Sequence, residues 1–406
     1  MLIRMNIICT LLATVSIDFC DPSNVPLPEE NMNTVELIVH NGYPAQEVVA
    51  QTADGYLLTL HRIPYGRRDP PSSRTGRPVV FLQHGLLASS ADWVLNLPEQ
   101  SLGFMLADAG FDVWMGNVRG NVYSRGHANS SIDQQHYWQF TWDEMAAFDL
   151  EAMVDKALQE SAQESLYYVG YSQGTMIMFA HASEKPEFTK KIKKFFALAP
   201  VATVGHVKGT LDVIGRRFLP EIELFIRVTG EEEFLPSNFF TRMLSKLICG
   251  LFSFTNPLCA NVLFQIVGPN TNQLNKTRLV VYLEHTPAGT STNNIIHWAQ
   301  MTVSGKTQKM DWRSEEDNMK HYGQPTPPVY NISRVNLPIY LYYSPVDWLA
   351  DTEDVKTLLS TLPPSSIVQQ KNLTDFNHID FVYGLRAADE IYKDIITVVQ
   401  KNENIA

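Results

Sequence analysis

Near-continuous apolar runs punctuate this chain at 79–83, 111–115, 166–169, 195–198 and 337–343. They lack the in–out alternation of a half-solvated strand, which is the pattern expected of strands covered on both faces. Between them, Glu144-Met145-Ala146-Ala147-Phe148-Asp149-Leu150-Glu151-Ala152-Met153-Val154 carries apolar residues at helical spacing, so strand and helix alternate and a largely parallel sheet follows. The alternation breaks near Thr203. From there to Asn331 the chain is helix-like and irregular, with apolar clusters at Phe218-Leu219, Ile222, Leu224-Phe225-Ile226, Phe234-Leu235 and Phe239-Phe240. The pattern predicts an α/β fold in which 21–202 and 332–406 form one core and 203–331 is a cap inserted into it. The apolar clusters are candidates for a movable lid, with ordinary packing of cap on core as the alternative reading.

At 406 residues the chain exceeds the usual single-domain length, which one elaborated core with a large insertion explains. The formal charge of -11, from 43 acidic and 32 basic residues, disfavours nucleic acid or an anionic membrane as a partner. The compact basic run Lys190-Lys191-Ile192-Lys193-Lys194 reads as a solvated helix end. An apolar stretch at 5–17 follows Arg4 and is too short to span a bilayer comfortably, so 1–20 reads as a signal peptide whose cleavage point between Ser16 and Cys20 stays open, with a buried N-terminal strand as the alternative. No later segment has the apolar length of a transmembrane helix. Of the four cysteines, Cys9 lies in the signal and Cys20 near its end, which leaves Cys249 and Cys259 as the expected disulfide in an oxidising compartment, worth about 2 to 3 kcal/mol, with two reduced, buried thiols as the alternative. Glycosylation sequons stand at Asn129, Asn275, Asn331 and Asn372, as export would require. Neither a zinc-type Cys/His spacing nor a glycine-rich phosphate loop is present.

The candidate chemistry lies in Gly170-Tyr171-Ser172-Gln173-Gly174, which follows the run at 166–169 and precedes Thr175-Met176-Ile177-Met178-Phe179-Ala180. A glycine-flanked serine between a strand and a helix is the pattern of a nucleophile elbow, because the sharp turn leaves no room for side chains beside it. A buried turn serine is the plain alternative. The hydroxyl needs a base and an orienting acid, which in this fold follow in the order serine, acid, histidine. His285, His297, His321 and His378 lie well downstream, and His378, near the C-terminus after the last recognisable strands, is the expected base, with a satisfied structural histidine as the alternative. Asp347 sits just past the carboxyl end of the 337–343 strand, where sheet enzymes place contact groups, and is the expected acid. Asp351, Asp354 and Asp375 compete, with helix capping and solvated surface as their expected roles. For the oxyanion, the Gln173 amide and that of Leu86, in the loop His84-Gly85-Leu86-Leu87 after 78–83, are the candidate donors. His84 is expected to shape that loop rather than ionise. The chemistry asks for no metal or organic cofactor.

Four further segments carry a resemblance. Phe81-Leu82-Gln83-His84-Gly85-Leu86-Leu87-Ala88-Ser89-Ser90, Asp112-Val113-Trp114-Met115-Gly116-Asn117-Val118-Arg119-Gly120-Asn121, Ala197-Leu198-Ala199-Pro200-Val201-Ala202 and Pro287-Ala288-Gly289-Thr290-Ser291 resemble the acid lipases, the group that contains gastric and lysosomal acid lipases. The likeness runs from about Asn33 to near the end of the chain. It implies an α/β-hydrolase core with a helical cap, and a neutral-lipid ester hydrolase, for triacylglycerols or sterol esters, working at a lipid–water interface outside the cell or in the lysosome. Carried over by motif, the nucleophile falls on Ser172, the acid on Asp347, the base on His378 and the oxyanion amides on Leu86 and Gln173. Tyr171 departs from the histidine of the mammalian digestive members, and their third cap cysteine is absent. Both departures bear on substrate or pH preference rather than on reaction type. A short-chain carboxylesterase, or a non-catalytic lipid-binding homologue, remain the other classes to test.

Overall fold

The fully apolar runs form the middle of the sheet because helices cover both of their faces. The computed structural model describes residues 27–70, 76–217, 219–220, 233–234, 264 and 266–405. Its strands are β1 (Gln46–Gln51), β2 (Tyr56–Ile63), β3 (Val79–Gln83), β4 (Asp112–Gly116), β5 (Gly126–His127), β6 (Leu166–Tyr171), β7 (Ile192–Leu198), β8 (Glu233–Phe234), β9 (Thr290–Ser291), β10 (Ile339–Tyr343) and β11 (Ile367–Asn372). The main sheet runs β1-β2-β4-β3-β6-β7-β10-β11, with β5 added to β2. β1 and β2 pair antiparallel, as do β2 and β4. Every later neighbour along the sheet is parallel. This is the α/β-hydrolase architecture, and every residue of β3, β4 and β6 is buried.

Strand order reverses at β3. The chain passes from β3 to β4 on one side and returns to β6 on the other, so β3 and β6 are neighbours whose connections leave in opposite directions. Such a switch point opens a crevice at the carboxyl ends of its strands. Gln83 pairs with Gly170 at that edge, so the loop after β3 and the turn after β6 must emerge side by side.

β1, β2 and β11 lie outside the five apolar runs because each is polar on part of its surface. β11 alternates half-buried with exposed residues and β1 is mostly exposed, as edge strands can be. The basic run is divided rather than one solvated helix end. Lys190 and Lys191 close the 3-10 helix Pro186–Lys191, whereas Ile192 already pairs with Leu166 and draws Lys193 and Lys194 into β7. Lys191 and Lys193 find Asp155 at 2.5 Å and Glu403 at 2.7 Å. The helical spacing at 144–154 becomes Trp142–Glu144, a widened π turn at Met145–Asp149 and the helix Leu150–Ser161, which bury Met145, Leu150, Met153 and Val154.

Between β7 and β10 stand the helices Thr210–Arg217, Leu279–His285, Thr292–Ser304 and Glu315–Tyr322 and the small antiparallel ribbon β8–β9. Hydrogen bonds fasten this insertion to the core at separate places. The Ala288 N–H donates to the Leu87 carbonyl at 2.7 Å, the Val122 N–H to the Ala288 carbonyl at 2.9 Å and the Met310 N–H to Asp143 at 2.9 Å. Leu219 packs with Ile296 and Met310, and Phe234 sits half-buried in β8. The other expected lid residues, the segment 1–20 and the pair Cys249 and Cys259 lie outside the described residues. Among the described residues no helix is long and apolar enough to cross a membrane, and no His/Cys/Asp/Glu group could hold a metal ion.

Candidate active site

Ser172 joins β6 to the helix Gln173–Glu184 with φ 52° and ψ -118°. Such angles cost a non-glycine residue on the order of 1 to 3 kcal/mol, held by the packing around it. The flanking glycines make that packing possible. A Cβ at Gly170 would come within 2.7 Å of the Gly174 carbonyl oxygen, and one at Gly174 would press into the Gln83 carbonyl. Gly85 lies flat against the turn, since a Cβ there would be 3.1 Å from both Ser172 Cβ and the Tyr171 ring.

Three loops from the carboxyl edge of the sheet meet at this serine. His378 Nε2 lies 2.8 Å from Ser172 Oγ, and His378 Nδ1 lies 2.9 and 3.0 Å from the two carboxylate oxygens of Asp347. All three residues are buried, Ser172 at 8% exposure being the least so. Asp347 Oδ1 also accepts the Leu349 and Ala350 N–H groups at 2.8 and 2.9 Å, which fixes the carboxylate plane. An imidazole whose Nδ1–H donates to a buried carboxylate presents Nε2 as a base towards the hydroxyl. The structure therefore brings Ser172, Asp347 and His378 into one hydrogen-bonded line.

The competing carboxylates are engaged elsewhere. Asp351 caps the helix Thr352–Thr361 and pairs with Lys208 at 2.5 Å. Asp354 accepts from Thr203 Oγ1 and the His206 N–H, both at 2.8 Å. Asp375 pairs with Arg386 on the surface at 2.7 Å. Of the other downstream histidines, His285 contacts the Glu29 carbonyl at 3.1 Å, His321 stacks on Trp312 and His297 stacks on Trp142.

Gln173 directly follows the serine, and Leu86 lies in the loop after β3 that packs against the elbow at Gly85. Gln173 opens its helix, so its N–H has no partner within the helix. Leu86 follows Gly85, whose backbone touches the turn. His84 holds this loop in shape. Burial lowers its pKa to about 4. Its Nδ1–H donates to the Gly85 carbonyl at 2.8 Å, while Nε2 accepts from the Val118 N–H and Asn121 Nδ2, each at 3.3 Å. That pattern needs the neutral ring.

Two supports of the site escaped the sequence. The Tyr171 hydroxyl donates to the His378 carbonyl at 3.0 Å and its ring lies 5.2 Å from the imidazole; its departure from the family pattern was the available signal. The His378 N–H donates to the Val267 carbonyl at 3.1 Å, a contact from the insertion that local sequence does not announce. The sequon asparagines Asn129, Asn331 and Asn372 are exposed and Asn275 is half-buried.

Residues 34–97 match the partial alpha/beta-hydrolase lipase region and residues 78–385 the alpha/beta hydrolase fold. The chain is 47% identical over 399 residues to lipase lipl-1 of Caenorhabditis elegans, covering 98% of each chain. It is 45% identical over 377 residues to gastric triacylglycerol lipase of Homo sapiens, covering 93% of each. It is likewise 45% identical over 376 residues to lysosomal acid lipase/cholesteryl ester hydrolase of Rattus norvegicus, covering 92% of each. With the sheet order, the elbow and this likeness over most of its length, the chain belongs to the acid lipase family of α/β-hydrolases.

Proposed function

We propose that this chain hydrolyses carboxylic esters of neutral lipids, triacylglycerols or sterol esters, through an acyl-enzyme on Ser172. The observation that carries the reading is the unbroken line from Asp347 through His378 to Ser172 Oγ, with the closing distance of 2.8 Å. In this cycle His378 Nε2 takes the Ser172 proton as Oγ attacks the ester carbonyl. Asp347 keeps the ring oriented and stabilises the imidazolium. The Leu86 and Gln173 amides receive the oxyanion, a contribution of about 3 kcal/mol per donor. His378 then protonates the departing alcohol, and water attacks the acyl-enzyme with the same base.

The substrate class is supported by the relatives at 45% identity, which are named as triacylglycerol and cholesteryl ester hydrolases. On this reading 203–331 is a cap over the two-part core 21–202 and 332–406, and its apolar clusters meet the lipid surface. The chain is exported after removal of 1–20, carries glycans at Asn129, Asn275, Asn331 and Asn372, and is cross-linked between Cys249 and Cys259. Its destination is the extracellular space or the lysosomal lumen.

Hydrolysis of a long-chain triacylglycerol emulsion, compared with a soluble short-chain ester from acid to neutral pH, tests the proposal. Emulsion activity is expected in the wild type and is expected to vanish in Ser172→Ala, with loss of roughly four orders of magnitude or more and an unchanged melting temperature. Activity restricted to the soluble ester would make the protein a carboxylesterase, and activity in Ser172→Ala would overturn the nucleophile.

A further inference from the structure

The side chain of Gln173 is tied to the insertion. Its Oε1 accepts from Asn294 Nδ2 at 3.0 Å and from Trp298 Nε1 at 2.8 Å, while its Nε2 lies 3.4 Å from Met145 Sδ. Asn294 and Trp298 stand one turn apart on the insertion helix Thr292–Ser304 and so share a face. One carbonyl oxygen thus takes both donors, which uses both of its lone pairs.

Asn294 is itself held on every side. It is fully buried; Nδ2 also donates to Thr290 Oγ1 at 3.1 Å, Oδ1 accepts the Trp142 N–H at 2.9 Å and its own N–H donates to Ser291 Oγ at 3.0 Å. The amide therefore cannot turn without stranding a buried partner, a loss of about 1 to 3 kcal/mol. The network joins the insertion, the start of the helical run at Trp142 and the residue next to the nucleophile.

We propose that Asn294 and Trp298 are positioning residues for the oxyanion pocket. By clamping the Gln173 side chain they hold its backbone N–H where the developing oxyanion requires it, so the seating of the insertion on the core is coupled to turnover. This rests on the assignment of Gln173 as an oxyanion donor. Gln173 is the first residue of its helix and follows a turn of unusual backbone angles, so its peptide depends on anchoring beyond the helix. A displacement of this peptide by about 1 Å costs up to a hundredfold in rate.

The test is a cycle of Trp298→Phe, Gln173→Met and the double variant. Each is assayed on a soluble ester for kcat and KM, and with an alkyl boronic acid, which forms a tetrahedral anion on the serine. Trp298→Phe is expected to lower kcat by about tenfold and to weaken boronate inhibition by a similar factor, with KM and melting temperature near wild type. If Trp298 acts through Gln173, the double variant loses no more than the worse single variant. Additive losses, or a loss carried by KM alone, would overturn the proposal as a mere packing or substrate contact. Asn294→Asp keeps the side-chain shape and the acceptor for Trp142 while removing the donor to Gln173, and the same kcat and boronate losses are expected of it. A folded wild type without activity on any ester would strike the hydrolase reading and this inference together. An active wild type beside unaffected Trp298→Phe and Asn294→Asp would strike the inference alone.

Discussion

Asp347–His378 and Asp143–His297 are both buried aspartate–histidine pairs, and they differ in whether the outer ring nitrogen is left to face a serine. At the elbow, Nδ1 meets the carboxylate at 2.9 Å and Nε2 meets the serine hydroxyl at 2.8 Å. At the seam between core and insertion, His297 Nε2 is spent on the Gln308 carbonyl at 2.8 Å, and Nδ1 stands 3.9 Å from Asp143. There Asp143 accepts from the Tyr330 hydroxyl at 2.6 Å and the Met310 N–H at 2.9 Å. The second pair fastens two layers together. A histidine that donates Nε2–H to a backbone carbonyl keeps its lone pair on Nδ1, and in His297 that nitrogen is buried and faces Asp143 rather than a nucleophile.

The largest contrast is expected from matched substitutions. Asp347→Asn should reduce kcat by about 10⁴-fold, because the imidazole loses the carboxylate that sets its tautomer. Asp143→Asn should leave kcat within about threefold of wild type and lower the melting temperature instead, since an amide cannot accept from Tyr330 and Met310 with both of its heavy atoms. Steady-state kinetics beside thermal melts would separate them, and equal kinetic losses would erase the distinction.

A second contrast lies in pH. Burial lowers the His297 pKa from 6.5 to about 4, so its contribution to stability is present above about pH 6.5 and is lost as pH falls towards 4, on the order of 3 kcal/mol. Burial instead raises Asp143 from 3.8 to about 6; its contribution is present below about pH 4 and is lost as pH rises through 6. His297→Phe keeps a ring against Trp142 but carries no proton. At neutral pH it should melt below wild type, because the Gln308 carbonyl loses its donor, and the gap should close as the pH drops from about 6.5 to 4. Parallel melting curves for the two proteins would remove His297 from this account.

The smallest effect concerns the Asp347–His378 pair alone. Tyr171→Phe removes the hydroxyl that reaches the His378 carbonyl, and should cost about 1 kcal/mol of stability and about threefold in kcat, with KM unchanged. A rate at or above wild type would show that the His378 loop is held without it.

Much of the site was legible because its causes are local. Gly170 and Gly174 are needed where a Cβ has no room, and that requirement is visible in five consecutive residues. The covered strands announced themselves through unbroken apolar runs, which also located the loop carrying Asp347. The edge strands β1 and β11 did not, since a half-solvated strand shares its composition with loops. Nothing near Asn294, Trp298 or Val267 in the chain hints that they reach residues more than a hundred positions away.

By itself, then, the sequence determined the turn at Ser172 and the alternation that makes a parallel sheet, because steric exclusion and hydrophobic period act between near neighbours. The tertiary structure decided which of four histidines faces the serine, which carboxylate orients it and how the insertion grips Gln173. Those choices depend on hydrogen-bond distances between segments far apart in the chain, and such distances exist only once the sheet has brought its carboxyl-end loops together.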